Sequence, residues 1–508
     1  MSGVGRRFVE AGYKDPKPLI VVDGQPIIKH VIDLFPGETD IHCICNRTHL
    51  ETTDMRAILT SYSATIHEID GHSYGPVYAV SQIFDTIGDD EEVIVSYCDY
   101  GTVWDYAGFL RYVRGEGLDG AIAAYRGFHP HMLGTDNYAF LRMGSAQEGT
   151  GFVAEVREKE PFTADRMSEY ASNGTYYFRT GAILKRFFQG LMDAGIQKNG
   201  EYYVSLVYNL LIQAGLRVGV YEIQKMLQWG TPRDLETYQM WSRHFNRPVQ
   251  APYKSSATLI LPFAGAGSRF KMVGFETPKP LLDINGRPMI IRAVESIPQC
   301  EKKVFVCLEE HERTYHLCDA LTKEWPDSEV YTISAVTQGQ ACTCEIAITS
   351  SPSITDDTPI MISACDNGVD YNVEAYAALE EDPSVDVIVW SFTNNPTGAL
   401  YPHMYAWLDV DESGSIRHVS VKKHFEGARH AIIGTMFFRR AGLFKEGLKE
   451  IYEKNIRTNG EFYVDDLLNP LIQAGYNVKV FEADAYICWG TPNDYKTYCY
   501  WLEYFCNK

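Results

Sequence analysis

The stretch that decides the fold reads Leu259-Ile-Leu-Pro-Phe-Ala-Gly-Ala-Gly-Ser-Arg-Phe270 and is followed by Pro278-Lys-Pro-Leu-Leu282. Its first apolar residues predict a buried strand. The glycines predict a tight turn, because glycine adopts positive φ and has no side chain to block a close approach. The backbone amides of Gly265, Ala266 and Gly267 are therefore candidates for binding an anion.

Two cations follow the glycines, Arg269 as a planar fork and Lys279 as a point charge, and both suit phosphate oxygens. The same pattern opens the chain, where Gly3-Val-Gly5-Arg-Arg7-Phe8 precedes Pro16-Lys17-Pro-Leu19. The second copy supplies the corresponding candidates Gly3, Gly5, Arg7 and Lys17. This recurrence predicts two halves that carry the same kind of phosphate loop.

Gly-x-Gly-x-Arg-Phe followed by Pro-Lys-Pro-Leu resembles the signature of the sugar-phosphate nucleotidyltransferases, and the resemblance covers nearly the whole chain. It implies an α/β fold of two tandem Rossmann-like domains with mostly parallel mixed sheets. We place the domains at 1–246 and 257–508, with 247–256 as a linker. The first domain has no counterpart of the strand before the loop, and we expect the natural start to lie upstream.

Composition restricts the function. The 508 residues suit two domains of about 250 residues each. The net charge of −20 argues against nucleic acid or an anionic membrane as a partner. No apolar stretch approaches the roughly 18 residues of a membrane span, and no signal segment opens the sequence, so a cytoplasmic location is expected. An anionic nucleotide would need local cations, and the resemblance implies Mg²⁺ as the cofactor.

A glycine turn precedes a helical pattern in each half, at Gln338-Gly339 and at Gly75. In the family this turn lies against the nucleotide base, which makes these residues candidates for binding the nucleotide. The residues alone leave an ordinary strand-to-helix turn equally open. Because the two turns differ in sequence, the two halves need not bind the same base.

An aspartate ends an apolar strand in each half, in Val93-Ile-Val-Ser-Tyr-Cys-Asp99 and in Ile360-Met-Ile-Ser-Ala-Cys-Asp366. Ligands of open α/β sheets bind at this end of the strands. The resemblance implies that Asp99 and Asp366 hold Mg²⁺, and the alternative is an aspartate that caps the next turn.

The family's second metal-binding aspartate has no match in either half. Its place before Trp-Gly-Thr-Pro is taken by Gln228 and Cys488, and cysteine is a poor Mg²⁺ ligand. Either one carboxylate with phosphates and water suffices, or another carboxylate joins it; the candidates are Asp105, Asp370 and Asp484.

The residues expected to bind the acceptor molecule differ between the halves. Glu158, Lys159 and Asn173 match the family's residues for sugar hydroxyls and for the sugar phosphate. In the second half the lysine has its counterpart in Lys423, whereas the glutamate and the asparagine are replaced. Glu201 and Glu461 face the acceptor or add negative charge at a helix start, and we prefer the latter.

These residues predict transfer of a nucleoside monophosphate from an NTP to a sugar phosphate or related phosphomonoester, with release of pyrophosphate, for surface-polysaccharide assembly. A glycosyltransferase of related fold is the first alternative, although Cys98-Asp99-Tyr100 offers no Asp-x-Asp motif. The second alternative is one catalytic half and one regulatory half. The repeat is compatible with pseudo-twofold packing of the halves or with a homodimer.

Overall fold

The structure is a computed structural model that describes residues 1–3, 5–145, 151–248, 250–265, 267–393, 395, 398 and 400–506. Ala266, one of the predicted nucleotide-binding residues, lies outside the described residues. The chain divides into two compact units, Met1–Ser242 (unit 1) and Arg243–Lys508 (unit 2).

Unit 1 contains short strands and helices in alternation. Its strands are β1 Val21–Val22, β2 Gln25–Pro26, β3 His42–Asn46, β4 Thr65–Ile69, β5 Val93–Ser96, β6 Tyr100–Val103, β7 Gly120–Tyr125, β8 Ala139–Met143, β9 Val153–Glu158, β10 Tyr170–Phe178, β11 Val218–Glu222 and β12 Lys225–Gln228. Its helices are α1 Arg6–Glu10, α2 Ile27–Ile32, α3 Arg47–Thr52, α4 Met55–Ser61, α5 Pro76–Ser81, α6 Tyr106–Gly115, α7 Gly181–Asp193, α8 Val204–Gln213 and α9 Pro232–Asn246, the last of which continues past Ser242.

Unit 2 has the same kind of alternation. Its strands are β13 Lys254–Ser255, β14 Thr258–Pro262, β15 Asp283–Ile284, β16 Arg287–Pro288, β17 Gln299–Cys300, β18 Lys303–Leu308, β19 Glu329–Ile333, β20 Ile360–Ile362, β21 Asn367–Asp370, β22 Val387–Phe392, β23 Trp407–Val410, β24 Ile416–Ser420, β25 His430–Phe438, β26 Val478–Glu482 and β27 Ala485–Cys488. Its helices are α10 Ser268–Met272, α11 Met289–Glu295, α12 Glu309–Tyr315, α13 Leu317–Glu324, α14 Gln340–Ser350, α15 Val373–Glu381, α16 Ala441–Glu453, α17 Leu468–Gln473 and α18 Pro492–Cys506.

The main sheet of unit 2 is mixed and has the order β19-β18-β14-β20-β25-β22-β26. The first four strands are parallel, β25 runs antiparallel to both of its neighbours in this order, and β22 and β26 are parallel. Successive residues of β18 point to opposite faces of the sheet. Val304 and Val306 join one apolar cluster, while Phe305 and Cys307 join another. Burial on both faces explains why the strands of this sheet are continuously apolar.

The sheets of unit 1 are mixed as well. The larger one has the order β11-β7-β10-β8-β9, with β5 also paired to β10. Strands β7 and β11 are parallel, and the other pairs of this sheet are antiparallel. Strands β3 and β4 form a separate parallel pair. The predicted α/β class with mixed sheets is thus confirmed.

One difference between the units concerns the strand before the loop. In unit 2, β14 lies between β18 and β20. Among the residues that the structure describes in unit 1, β3 pairs only with β4, and β5 pairs only with β10. All four residues of β5 are partly exposed, whereas Ile360, Met361 and Ile362 of β20 are buried. The hydrogen-bonding edge of β5 that faces away from β10 is therefore unpaired by the described strands.

No helix within the described residues combines the length and the apolar character that crossing a membrane requires.

Candidate active site

The glycine loop leads into the first helix in both units. Gly267 has φ 61° just before α10 and accepts a hydrogen bond from Phe270 N at 3.1 Å. Gly5 has φ 63° before α1 and accepts one from Phe8 N at 2.9 Å. This left-handed conformation explains the second glycine of each motif. The first glycines, Gly3 and Gly265, do not adopt this left-handed conformation, and a Cβ added at either would meet no described atom within 4 Å.

The arginines of the two loops have no side-chain partner among the described residues. Arg7 and Arg269 are exposed, and among the described residues neither makes an ion pair or a side-chain hydrogen bond. An exposed guanidinium beside an open glycine loop presents its planar donor fork to solvent. Both side chains are therefore free to bind phosphate oxygens.

The lysine and the aspartate of each motif meet in an ion pair. Lys17 Nζ lies 2.5 Å from Asp99 Oδ2, and Lys279 makes the same contact with Asp366. Burial is the largest single influence and opposes the charge on both ammonium groups, but the aspartate and the cysteine before it together raise the pKa of each lysine. Residues far apart in sequence thus meet at one point beneath the loop.

A cavity of about 250 Å³ opens at this point in unit 2. Gly265, Gly267, Lys279 and Asp366 lie in its wall. The loop, a cation and a carboxylate therefore surround one space, which is the arrangement that a nucleotide with a metal ion requires.

The residues in place of the second aspartate lie beside the first. A Cβ placed on Gly230 would lie 3.2 Å from Asp99 Oδ2 and 3.4 Å from Gln228 Nε2. A Cβ on Gly490 would lie 3.5 Å from Asp366 Oδ2 and 3.3 Å from Cys488 Sγ. Gln228 and Cys488 thus lie close to the aspartates, as their place in the motif predicts, but neither adds a negative charge at neutral pH, because burial raises the pKa of Cys488 well above its ordinary value.

The other carboxylates considered for this role are engaged elsewhere. Asp105 caps α6, where it accepts a hydrogen bond from Gly108 N at 2.7 Å. Asp370 lies 2.8 Å from His244 Nδ1, and Asp484 lies 3.2 Å from Arg247.

The donor set fits a magnesium ion that arrives with its nucleotide. Within the described residues, no three His, Cys, Asp or Glu side chains form a metal-binding group. Mg²⁺ is commonly bound through one or two carboxylates plus substrate phosphates and water. A single hard carboxylate beside a phosphate loop matches that description, so Asp99 and Asp366 are the residues that would hold the ion.

The turns predicted to bind the base have a packing reason for their glycines. Gly339 has φ 142°, and a Cβ there would lie 2.4 Å from the carbonyl oxygen of Phe462. Gly75 has φ 90°, and its Cβ would lie 2.8 Å from the backbone of Tyr202. Close backbone contact thus requires both glycines, and base contact stays a prediction. The amide oxygen of Gln338 accepts a hydrogen bond from Arg457, which sequence reasoning missed.

Of the predicted acceptor residues of unit 1, Glu158 ends β9 and Asn173 lies within β10. Glu158 is buried and accepts a hydrogen bond from Ser205 Oγ at 2.6 Å. Burial raises the pKa of this carboxyl group to about 7. Asn173 is also buried; its oxygen accepts from Thr175 N, but its Nδ2 has no partner among the described residues. A buried amide without a partner is costly, and an oxygen of a ligand or of a water molecule would satisfy it.

The acceptor lysine of unit 1 adopts an unusual backbone conformation. Lys159 has φ 58°, donates to Tyr203 Oη at 2.6 Å and lies over the Tyr203 ring. The same tyrosine donates to Glu201, so Glu201 faces this side chain rather than a helix start. The preference for the helix-start role is not supported in unit 1.

The structure favours Lys422, not Lys423, as the residue of unit 2 that is equivalent to Lys159. Lys422 also has φ 58° and lies over the ring of Tyr463. Its charge interacts with Arg269 and Asp366, and burial lowers its pKa. Lys423 is exposed, and among the described residues no ion pair or side-chain hydrogen bond joins it to another predicted site residue. In a pair of adjacent lysines, the sequence carries no signal for which one turns inward.

No family model matches the chain, and no curated protein matches it. Among solved structures, the chain is similar to a nucleoside-diphosphate-sugar pyrophosphorylase from Vibrio cholerae RC9, with a TM-score of 0.40 and 18% identity over 47% of this chain and 99% of that one. It is also similar to the inositol-1-phosphate CTP transferase from T. maritima, with a TM-score of 0.39 and 15% identity over 49% of this chain and 98% of that one. Likenesses at these values carry no inference about this chain.

Proposed function

We propose that the chain transfers a nucleoside monophosphate from an NTP to a phosphorylated small-molecule acceptor and releases pyrophosphate. We further propose that its two halves are tandem copies of one kind of domain. One observation supports both statements. Each unit contains an open glycine loop, an exposed arginine that makes no ion pair with the described residues, and a lysine–aspartate ion pair. A role in surface-polysaccharide assembly is an expectation from the family resemblance.

The chemistry needs little more than these groups. An oxygen of the acceptor phosphate attacks the α-phosphorus of the NTP, the bond from that phosphorus to the bridging oxygen breaks, and the electron pair leaves with pyrophosphate. Phosphate oxygen is already nucleophilic at neutral pH, so no general base is required. The protein must bring two anions together and stabilise the charge on the leaving group.

The cations divide this task. Arg7 and Arg269 would bind the β- and γ-phosphates as the NTP enters the loop. Lys17 and Lys279 would exchange the aspartate for an oxygen of the α-phosphate. A bound Mg²⁺ would supply further neutralisation of phosphate charge at Asp99 and Asp366. The acceptor phosphate would lie against Lys159 in unit 1 and, in the revised assignment, against Lys422 in unit 2.

Pyrophosphate release tests the proposal directly. The full chain with Mg²⁺ is supplied with CTP, UTP, dTTP, GTP or ATP, each combined with a set of sugar phosphates and simple phosphomonoesters. We expect release for at least one pair. We expect Lys279→Ala to lower kcat/KM for the unit 2 reaction by at least about a hundredfold, because a preorganised charge donor is worth roughly 3 kcal/mol.

The control is Lys323→Ala, which removes an exposed lysine of α13. Its activity should equal that of the wild type. If no NTP and acceptor pair releases pyrophosphate, the proposal is wrong.

A further inference from the structure

The two acceptor sites can be compared position by position, because the same contact fixes the strand before the lysine in each unit. Asn209 donates to the carbonyl of Val156 at 2.8 Å and accepts from its N–H at 2.9 Å. Asn469 makes the same two hydrogen bonds with Val419, at 2.8 and 2.9 Å. The residues around these contacts therefore occupy equivalent places.

This correspondence reveals an exchange of side chains. Glu158 of unit 1 corresponds to Val421, and Ser205 corresponds to Asp465. In unit 1 the Ser205 hydroxyl lies 2.6 Å from the Glu158 carboxylate. In unit 2 the position of Glu158 is held by Val421, which has no carboxylate. A carboxylate stands instead at the start of the helical segment, on Asp465, in place of the Ser205 hydroxyl. By this correspondence, Asp465 takes the place of the residue whose hydroxyl donates to the Glu158 carboxylate in unit 1.

The neighbouring polar residues are lost as well. Gly174 and Gly434 have φ 98° and 100° and mark equivalent positions in β10 and β25. The two residues before the glycine are Ser172 and Asn173 in unit 1. In unit 2 they are Ile432 and Ile433, both buried. The equivalent surroundings in unit 2 are therefore more apolar and lack the amide of Asn173.

Asp465 itself lacks a hydrogen-bonding partner. No described side chain or backbone N–H donates to its carboxylate, and its charge interacts with Lys422, whose Nζ donates to the carbonyl of Met404 instead. Burial raises the pKa of Asp465 to about 6, against the attraction of Lys422. Asp465 is partly buried, so its unpartnered carboxylate is placed to accept a hydrogen bond from a ligand.

We propose that Asp465 is the acceptor-binding carboxylate of unit 2, and that it takes a hydrogen-bond donor carried on an apolar body. A carboxylate only accepts hydrogen bonds, and the isoleucines and Val421 offer apolar contact alone. The donor on the acceptor molecule is a hydroxyl or an ammonium group, since both donate hydrogen bonds to a carboxylate. Unit 1, which offers both an amide donor and a carboxyl group, takes a more polar acceptor. The assignment rests on the proposed nucleotidyl transfer.

A matched series of three phosphomonoesters tests the assignment: ethyl phosphate, 2-hydroxyethyl phosphate and 2-aminoethyl phosphate. Binding to the full chain is measured by calorimetry in a Lys159→Ala background, which weakens the acceptor site of unit 1. We expect at least one donor-bearing ester to bind about tenfold more tightly than ethyl phosphate, since a hydrogen bond to a charged group is worth roughly 1.5–3 kcal/mol.

Variants of Asp465 identify the source of that preference. Asp465→Ala should abolish it, whereas Asp465→Asn should abolish the preference for the ammonium and keep part of the preference for the hydroxyl. The double variant Val421→Glu with Asp465→Ser rebuilds the pair of unit 1 and should restore a preference for a donor, which covers the case in which the alanine variant does not fold.

Equal binding of the three esters, no binding of any, or a preference that survives in Asp465→Ala would overturn the assignment. These outcomes concern binding alone. Failure of the proposed function would appear separately, as a lack of pyrophosphate release with every NTP and acceptor.

Discussion

Glu158 is a buried carboxyl group whose pKa is raised from 4.5 to about 7 by burial, against the opposing effects of Ser205 and Lys159. The folded protein keeps this proton up to about pH 7, whereas the unfolded chain loses it near pH 4.5. The folded state therefore binds more protons in this range. Its free energy of unfolding falls as the pH rises from about 4.5 to 7, by up to about 3 kcal/mol.

Glu158→Gln should remove this part of the pH dependence. Urea unfolding of unit 1 at pH 5 and pH 8 should show a smaller stability difference in the variant than in the wild type. Glu160→Gln changes the exposed neighbouring glutamate and serves as the control, with the wild-type difference retained. Equal pH dependence in Glu158→Gln and the wild type would contradict the raised pKa.

Gly339 and Gly265 are two glycines of unit 2 that differ in how closely the rest of the protein approaches them. A Cβ at Gly339 would lie 2.4 Å from a backbone carbonyl oxygen, whereas one at Gly265 meets no described atom within 4 Å. Gly339→Ala should therefore destabilise unit 2 by about 2–3 kcal/mol in urea unfolding, since the backbone must shift to admit the methyl group.

Gly265→Ala should leave the stability within about 0.5 kcal/mol of the wild type. It should weaken binding of the NTP, because the methyl group occupies space that phosphate needs at the loop. Calorimetric titration with the NTP measures this effect. A Gly265→Ala protein with unchanged NTP affinity would argue against the loop as the phosphate site.

At the scale of elements, strand β5 of unit 1 is less protected than β20, its counterpart in unit 2. Its residues are partly exposed and it pairs only with β10 among the described strands, whereas β20 pairs on both sides and is buried. An amide without a hydrogen-bonded neighbour exchanges with solvent more readily.

Amides at Val93–Ser96 should therefore exchange with deuterium roughly tenfold or more faster than those at Ile360–Ile362, as measured by hydrogen exchange with mass spectrometry. Equal protection of the two strands would show that β5 is paired on both sides in solution.

The elements that the sequence predicts well are those buried on both faces. The apolar run at Leu259–Leu261 lies in β14, and Gly267 in the loop that follows adopts the left-handed conformation. The loops, Lys279 and Asp366 were recognisable because each lies in a short motif, and their meeting follows from strand ends at one edge of the sheet.

The acceptor side could not be predicted in the same way. The predicted acceptor carboxylate is Glu158, at a strand end, in unit 1 and Asp465, on a helical segment, in unit 2. Because these elements are distant in sequence, no local pattern predicts the change. The choice between Lys422 and Lys423 depends on one backbone angle. Both features depend on packing rather than on periodicity.

At the scale of the whole molecule, the chain carries two separate sets of catalytic candidates, one in each compact unit. If the units have different acceptors, Lys17→Ala and Lys279→Ala should each abolish one reaction and preserve the other. The double variant should lose both. Pyrophosphate release with each acceptor in turn measures the outcome.

Loss of all activity in Lys279→Ala alone would instead show that unit 1 is not catalytic by itself. In that case the lysine–aspartate pair of unit 1 would serve regulation rather than turnover.

The left-handed backbone at Lys159 and Lys422 has a consequence for how this protein can change. A non-glycine residue in that conformation costs about 1–2 kcal/mol, and glycine would relieve this strain at a smaller entropic cost. Glycine at either position would thus relieve the backbone, but it would also remove the hydrogen bond of the ammonium group and its contact with the tyrosine ring. An engineer who seeks a more heat-resistant protein through glycine at these two positions would therefore give up the cation that the proposed acceptor phosphate needs.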